Sequence, residues 1–196
     1  MIKRLAKLTS NILNPFLVSF VVTVLIAFEA TSGTADAIKW ALISVALSVL
    51  PIFIVVVYLV RQKKLDSIFV NPRHQRDRIY LLAFILAIID CIVLFYLEAP
   101  ELLRTTFVAG LVAIFIFMVI NRFWKISLHT AFIAASVAVL IIVYGAAAAW
   151  TAVLLPLVAW SRIETKLHSL AQVSAGALLA AAIVLVIFRC FGMLGS

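Results

Sequence analysis

Three short segments of this sequence carry side chains that could bind and transfer a phosphoryl group. The first is SRIETKLHSLAQ at 161–172, in which five residues separate Arg162 from His168 at the start of a predicted helix. Arginine can hold two phosphate oxygens at once, a neutral imidazole can attack phosphorus, and a helix N-terminus attracts anions. The segment therefore indicates either a phosphate site or ordinary polar residues at a membrane boundary, and both interpretations stay open.

The second segment, NRFWKISLH at 121–129, places Lys125, Ser127 and His129 at alternate positions just before a predicted helix. That pattern suits a phosphate cradle with a general acid close by. It also describes an interfacial Trp–Lys pair followed by a capping serine and a structural histidine. Taken alone, the segment favours the second description.

The third segment is a basic connection at 61–78, RQKKLDSIFVNPRHQRDR, which includes Lys64, Arg73 and Arg76. These side chains could add cations to a phosphate site. A lone basic loop in a membrane protein usually sets topology or meets anionic lipid headgroups. Taken alone, this segment favours that simpler role.

The composition predicts that membrane-spanning helices position these segments. Of 196 residues, 66% are hydrophobic and 12% are charged, and the mean hydropathy is +1.25. A soluble domain is nearer half apolar and a quarter charged. Cys91 and Cys190 lie inside apolar runs, which excludes a secreted disulfide scaffold. We therefore expect one integral membrane domain over 1–196, with no separate soluble domain.

A membrane-spanning helix needs about 20 predominantly apolar residues. The run 128–160 would form one helix of about 50 Å, longer than a hydrocarbon core of about 30 Å, so we divide it by a turn near Gly145. Pro51 and Pro156 lie inside spans and predict kinks. The predicted fold is all-α, a polytopic transmembrane helical bundle of about seven spans, at 15–30, 38–60, 79–97, 102–120, 128–144, 146–160 and 169–192.

The basic residues divide unevenly between the two membrane faces that seven spans define. The positive-inside rule makes the more basic face cytoplasmic, and the N-terminus and all three histidines fall on it. The net charge of +8 is explained by this bias, and because no aromatic-and-basic binding module is present we expect no nucleic acid partner. The basic face carries Lys3, Arg4, Lys7, Arg61, Lys63, Lys64, Arg73, Arg76, Arg78, Arg122, Lys125, Arg162 and Lys166, and the opposite face carries Lys39, Arg104 and Arg189.

The first residues predict a helix at the membrane surface. The segment 2–13 is amphipathic, as in an interfacial anchor, and Asn14 and Pro15 suit a helix N-cap and first helical position. The alternative is a cleaved signal peptide, for which AFEATSG is a poor cleavage site. The apolar side carries Ile2, Leu5, Leu8 and Ile12, and the basic side carries Lys3, Arg4 and Lys7.

Together the three segments resemble the type 2 phosphatidic acid phosphatase (PAP2) superfamily over about 61–175. That family has three signatures, K-x6-R-P, P-S-G-H and S-R-x5-H-x3-D. The third signature is matched by Ser161, Arg162 and His168, with Gln172 where the family has aspartate. The second is degenerate, because the tetrapeptide ISLH at 126–129 keeps the serine and histidine but lacks the proline and glycine.

The first signature is not matched in spacing. Lys64 lies nine residues ahead of Arg73, and Pro72 comes before that arginine rather than after it. Arg73 and Arg76 are therefore candidate replacements. The order of the signatures agrees with the family, because two predicted spans separate each from the next and return all three to one membrane face.

The resemblance implies a PAP2-like helical core and a lipid or isoprenoid phosphate/diphosphate phosphatase, or phosphotransferase, without metal or cofactor. Its reaction would pass through a phosphohistidine intermediate, with His168 as nucleophile and His129 as general acid. Phosphate would be held by Arg162, Ser127, Lys125 and a basic residue among Lys64, Arg73 and Arg76. The implied partners are the lipid or prenyl phosphate substrate and the bilayer.

Gln172 departs from the family at the residue that orients the nucleophile. It can accept a hydrogen bond from His168 but carries no charge. In the serine-protease triad, replacing aspartate by asparagine costs about 10⁴ in rate by selecting the wrong tautomer. The alternatives are therefore a non-catalytic PAP2-like phospholipid-binding or carrier protein, or a small transporter, for which no inverted repeat is evident.

Asp90 lies within the third predicted span, where an ionisable side chain is costly. It has either a function or a structural role as a neutral carboxyl hydrogen-bonded to Ser or Thr hydroxyls of neighbouring helices. The sequence leaves both interpretations open, and it does not determine the oligomeric state.

Overall fold

The computed structural model describes residues 1–68 and 72–194, except for the side chains of Arg73 and His74. Within these ranges the chain is helical and has no β-strand, which confirms the predicted all-α class. The helices are α1 (Ile2–Ile12), α2 (Pro15–Glu29), α3 (Thr34–Leu47), α4 (Val49–Arg61), α5 (Arg73–Tyr96), α6 (Glu101–Asn121), α7 (Leu128–Tyr144), a 3₁₀ helix (Gly145–Val153), α8 (Leu154–Glu164) and α9 (Leu170–Cys190).

Several helical runs are long and apolar enough to cross a membrane. Within the described ranges there are five, and a sixth if α1 and α2, which meet at a bend of 42°, form one span. The five are Thr34–Arg61, Gln75–Tyr96, Glu101–Asn121, Leu128–Glu164 and Leu170–Cys190. These runs agree with a multi-pass membrane protein, whereas the number of seven spans stays a prediction.

The chain reverses inside the run Leu128–Glu164. Gly145 ends α7 with a φ of 61°, a left-handed conformation that glycine adopts without steric cost. Beyond it, Val158 of α8 is buried in one cluster with Ile133 and Val137 of α7. Along a straight helix Ile133 and Val158 would be roughly 37 Å apart, so α8 returns along α7 as the predicted turn requires.

A proline accounts for the break in the predicted span 38–60. α3 ends at Leu47 and α4 begins at Val49. The ring of Pro51 clashes with the carbonyl four residues earlier in a regular helix, and that carbonyl belongs to Leu47. Ser48 lies at the break, and its hydroxyl donates to the Ser44 carbonyl at 2.6 Å.

The connection between α4 and α5 is shorter than the basic segment 61–78 that we predicted as a connection. α5 begins at Arg73, with Pro72 as its N-cap residue, whereas the predicted span began at 79. The reason is that polar residues can extend a helix beyond its apolar stretch, so hydropathy locates the span and not the helix end. Arg73, His74 and Arg76 therefore stand on the first turn of α5 and not in a loop.

The chain forms two compact units. Unit 1 contains Met1–Ser19 and Trp124–Ser196, and unit 2 contains Phe20–Phe123. In unit 1, α9 packs against α7, and α8 packs against α1, α7 and α9. The predicted cap of α2 is present, because the Asn14 side-chain oxygen accepts the Leu17 N–H at 3.0 Å.

Unit 2 is built on an antiparallel pair, α5 and α6. The ring centroids of Phe84 and Phe115 are 5.6 Å apart. The Arg104 guanidinium lies 5.2 Å from the centre of the Phe95 ring. α3 and α4 pack against α5. Asp90 is buried, but no described residue hydrogen-bonds to its Oδ1, so the hydroxyl partner that the structural interpretation requires is not found for that oxygen.

Candidate functional site

The start of α9 orients the predicted nucleophile. His168 stands immediately before Ser169, the N-cap residue of α9. The Ser169 hydroxyl accepts the Gln172 N–H at 3.3 Å, and the Gln172 Oε1 accepts the Ser169 N–H at 3.2 Å. This reciprocal pair is a capping box. Because only the amide oxygen can accept from an N–H, the box fixes which way the Gln172 amide points.

The same oxygen faces the imidazole. His168 Nδ1 lies 3.1 Å from Gln172 Oε1. Since Oε1 carries no hydrogen, a hydrogen bond there requires Nδ1 to hold the proton of the neutral ring, which leaves a lone pair on Nε2. Gln172 therefore selects the tautomer that attack through Nε2 needs, although it supplies no negative charge.

The spacing between Arg162 and His168 has a structural reason. The Arg162 carbonyl accepts the N–H groups of Leu167 at 3.1 Å and His168 at 3.3 Å, and Lys166 N–H donates to the Ile163 carbonyl at 2.8 Å. Lys166 has a φ of 57°. These are the bonds of a Schellman motif closing the C-terminus of α8. The five intervening residues thus complete the last turn of α8 and bring His168 back beside Arg162.

The Arg162 side chain is held by α1. It is 3% exposed, and its Nη1 donates to the Ser10 hydroxyl at 2.6 Å. The neighbouring Ser161 hydroxyl donates to the Ala6 carbonyl at 2.7 Å. Sequence reasoning treated 2–13 only as a surface anchor and missed this contact. A signal was present, since Ala6 and Ser10 are small residues one helical turn apart.

The second predicted segment joins the start of α7 to the start of α9. Ser127 is the N-cap residue of α7, and its Oγ accepts the Thr130 N–H at 3.5 Å. The Ser127 N–H donates to the Gln172 carbonyl at 3.3 Å. Lys125 Nζ donates to the Leu167 carbonyl at 3.2 Å. The segments that carry His129 and His168 therefore meet at one end of unit 1.

Gly176 permits this close approach. A Cβ at this position would lie 2.6 Å from the Ser127 carbonyl oxygen and 3.0 Å from the Thr130 hydroxyl. Only glycine allows two backbones to approach so closely. Sequence reasoning missed Gly176, because a glycine in an apolar span gives no sign of which neighbour it faces.

The electrostatics of this end favour an anion. The N-termini of α7 and α9 each carry a partial positive charge of about half an elementary charge. His129 is buried at the second residue of α7, and His168 is 8% exposed. The one acidic residue of unit 1 is Glu164, whereas its basic residues are Lys3, Arg4, Lys7, Lys125, Arg162, Lys166 and Arg189.

The predicted site residues divide between the two units. Those of the second and third signatures all belong to unit 1, namely Lys125, Ser127, His129, Arg162, His168 and Gln172. Lys64 and Arg76 belong to unit 2, where Lys64 is exposed and Arg76 is buried with its Nη2 3.0 Å from the Tyr80 hydroxyl. The Arg73 side chain lies outside the described part of the chain.

Among the described residues, no group of three His, Cys, Asp or Glu side chains could hold a metal ion. The chain matches no protein-family model, no curated protein and no solved structure. A function for this site has to follow from its geometry and from the residues that compose it.

Proposed function

We propose that this protein is a membrane-embedded phosphatase or phosphotransferase, acting on lipid or isoprenoid phosphates or diphosphates through phosphorylated His168. The observation that carries the proposal is the 3.1 Å contact between His168 Nδ1 and Gln172 Oε1. A hydrogen bond there places the proton of the neutral ring on Nδ1, so that Nε2 is the nitrogen whose lone pair would attack phosphorus.

The first step forms a bond between His168 Nε2 and phosphorus. The bond from phosphorus to the lipid oxygen breaks, and a protonated His129 gives its proton to that oxygen. An alcohol leaves from a monophosphate substrate, and a monophosphate leaves from a diphosphate. The phosphoryl group stays on the imidazole.

The second step returns the enzyme to its starting state. Water attacks phosphorus, His129 takes a proton from that water, and the bond between Nε2 and phosphorus breaks to release phosphate. An alcohol that takes the place of water would receive the phosphoryl group instead. The same residues therefore support hydrolysis and transfer.

Three groups of unit 1 supply positive charge to the phosphate oxygens. Arg162 offers its guanidinium group and Lys125 its ammonium group. The third is the N-terminus of α7, which Ser127 caps and which carries a partial positive charge. The apolar tail of the substrate would lie among the spanning helices.

The direct test is phosphate release from a panel of lipid and prenyl phosphates by purified protein in detergent. His168→Ala is expected to lower the rate by about 10³-fold or more, since the covalent step is lost. His74→Ala, the same substitution at a histidine without an assigned role, serves as the matched control. An active His168→Ala variant contradicts the nucleophile assignment.

A second candidate function is phospholipid binding without turnover. The uncharged Gln172 and the degenerate first two signatures favour it. This alternative predicts that headgroups bind while no phosphate is released, and that no substitution at Gln172 produces activity. The substrate panel separates the two candidates directly.

A further inference from the structure

α1 has an inner face that contacts the site. Ala6 is fully buried and Ser10 is 4% exposed. Through these two residues α1 receives hydrogen bonds from Ser161 and Arg162 of α8. The guanidinium that the proposed function assigns to phosphate is thus held by a helix from the other end of the sequence.

The outer face of α1 is apolar and basic. Ile2, Leu5, Leu8 and Ile12 are 59%, 57%, 55% and 53% exposed. Lys3, Arg4 and Lys7 are exposed, and α1 has no acidic residue. A helix with an apolar stripe beside lysine and arginine fits the interface of an anionic bilayer, where the stripe enters the acyl boundary and the cations meet lipid phosphates.

α1 is joined to the rest of unit 1 by a short bend and by α8. Only Leu13 and Asn14 separate it from α2, and the two helices meet at a bend of 42°. α8 packs against it. On its inner side, the hydrogen bonds of Ser161 and Arg162 hold α1 against α8.

We propose that α1 couples an anionic bilayer surface to the phosphate affinity of Arg162, an inference that rests on the proposed function for the identity of the ligand. Seating the outer face in the interface keeps Ser10 against Arg162 Nη1. The guanidinium is then held in one orientation, and less ordering is required when phosphate binds. Ser10 is a positioning residue in this proposal.

The test measures the affinity for inorganic phosphate in nanodiscs of phosphatidylcholine alone and with one third phosphatidylglycerol. We expect the parent to bind phosphate about tenfold more tightly in the anionic nanodiscs, as the gain of an ordered charged hydrogen bond allows. Ser10→Ala should lose that gain because the link to Arg162 is removed. A triple variant with Lys3, Arg4 and Lys7 changed to Gln should lose it because the outer face no longer recognises the surface.

Thr9→Ala is the matched control, since it changes a neighbouring hydroxyl on the same helix and should keep the tenfold gain. The coupling is contradicted if the parent shows no gain, or if either Ser10→Ala or the triple variant retains it. Lys3, Arg4 and Lys7 are exposed, so the triple variant leaves buried packing unchanged. It therefore tests the coupling even if Ser10→Ala does not fold.

This experiment is independent of turnover. If the phosphate affinity is higher in anionic nanodiscs while no substrate releases phosphate, the coupling stands and the proposed function fails. If substrates are hydrolysed but the phosphate affinity is the same in both kinds of nanodisc, the proposed function stands and the coupling fails.

Discussion

The contact between His168 and Gln172 separates two roles that an aspartate would combine. An aspartate in this position orients the imidazole and also stabilises the positive charge that develops on it. The capping box preserves the first role, because Gln172 Oε1 is directed by the Ser169 N–H and meets Nδ1. Gln172 does not stabilise the positive charge of the imidazole as an aspartate would, because an amide is uncharged.

Gln172→Glu tests this division. Glutamate has the same length and is the usual partner in a capping box, so both hydrogen bonds of the oxygen can be retained while a charge is added. We expect phosphate release to rise by about tenfold, as for a hydrogen bond to a charged rather than a neutral acceptor. Initial rates on the best substrate of the panel measure the effect.

The family residue provides the second arm of this test. Gln172→Asp should also raise the rate, although its shorter side chain reaches His168 less well. If neither acidic variant changes phosphate release, the missing charge does not limit the reaction. That outcome favours a binding protein or a different nucleophile.

The packing of α9 against the start of α7 is the feature of the helices on which the site depends. Gly176 places the α9 backbone beside the Ser127 carbonyl, and the hydrogen bond from Ser127 N–H to the Gln172 carbonyl crosses the same interface. A change at this crossing alters the distance between the segments of His129 and His168.

Gly176→Ala is expected to push the two helices apart. Because its Cβ would lie 2.6 Å from the Ser127 carbonyl oxygen, the substitution should destabilise the protein by about 1–3 kcal/mol. It should also lower phosphate release, since His129 moves away from His168. Unfolding in mixed micelles and initial rates measure the two effects.

Gly110→Ala in α6 is the matched control. Its Cβ would meet nothing within 4 Å, so an alanine there should leave stability unchanged or raise it by roughly 0.5–1 kcal/mol, as expected inside a helix. Equal effects of the two substitutions would contradict the claim that Gly176 is needed for the close approach of α9 to the start of α7.

The sequence predicted helices better than it predicted contacts between them. Hydropathy located the apolar runs, and residue types identified the Asn14 cap and the reversal at Gly145, because both signals are local. α5 begins six residues before the predicted span, since a helix can extend beyond its apolar part. The contacts of Ser10 with Arg162 and of Gly176 with Ser127 join residues far apart in sequence, and no local pattern specifies them.

At the scale of the whole molecule, the positive net charge is concentrated in unit 1, which has seven basic residues and one acidic residue, whereas unit 2 has nine basic and seven acidic residues. Unit 2 carries most of the acidic residues, namely Glu29, Asp36, Asp66, Asp77, Asp90, Glu98 and Glu101. The charge bias that predicts sidedness therefore overlaps with the charge that would bind phosphate. A topology measurement is needed to separate the two causes.

Cysteine labelling can assign the membrane faces. In a Cys190→Ser background, we expect Lys166→Cys, beside the site, to react with an impermeant maleimide only after the cells are permeabilised. Ser32→Cys, between α2 and α3, should react in intact cells. Both positions are exposed. The reverse pattern would place the site on the outer face and overturn the positive-inside assignment.

The measurement that tests the central claim most directly is the capture of the covalent intermediate. Protein quenched during turnover of a substrate labelled in its phosphate should carry an acid-labile label, and mass spectrometry should place the phosphoryl group on His168. His168→Ala protein should remain unlabelled. Turnover by the parent without a label on His168, or with the label on another residue, would contradict the account.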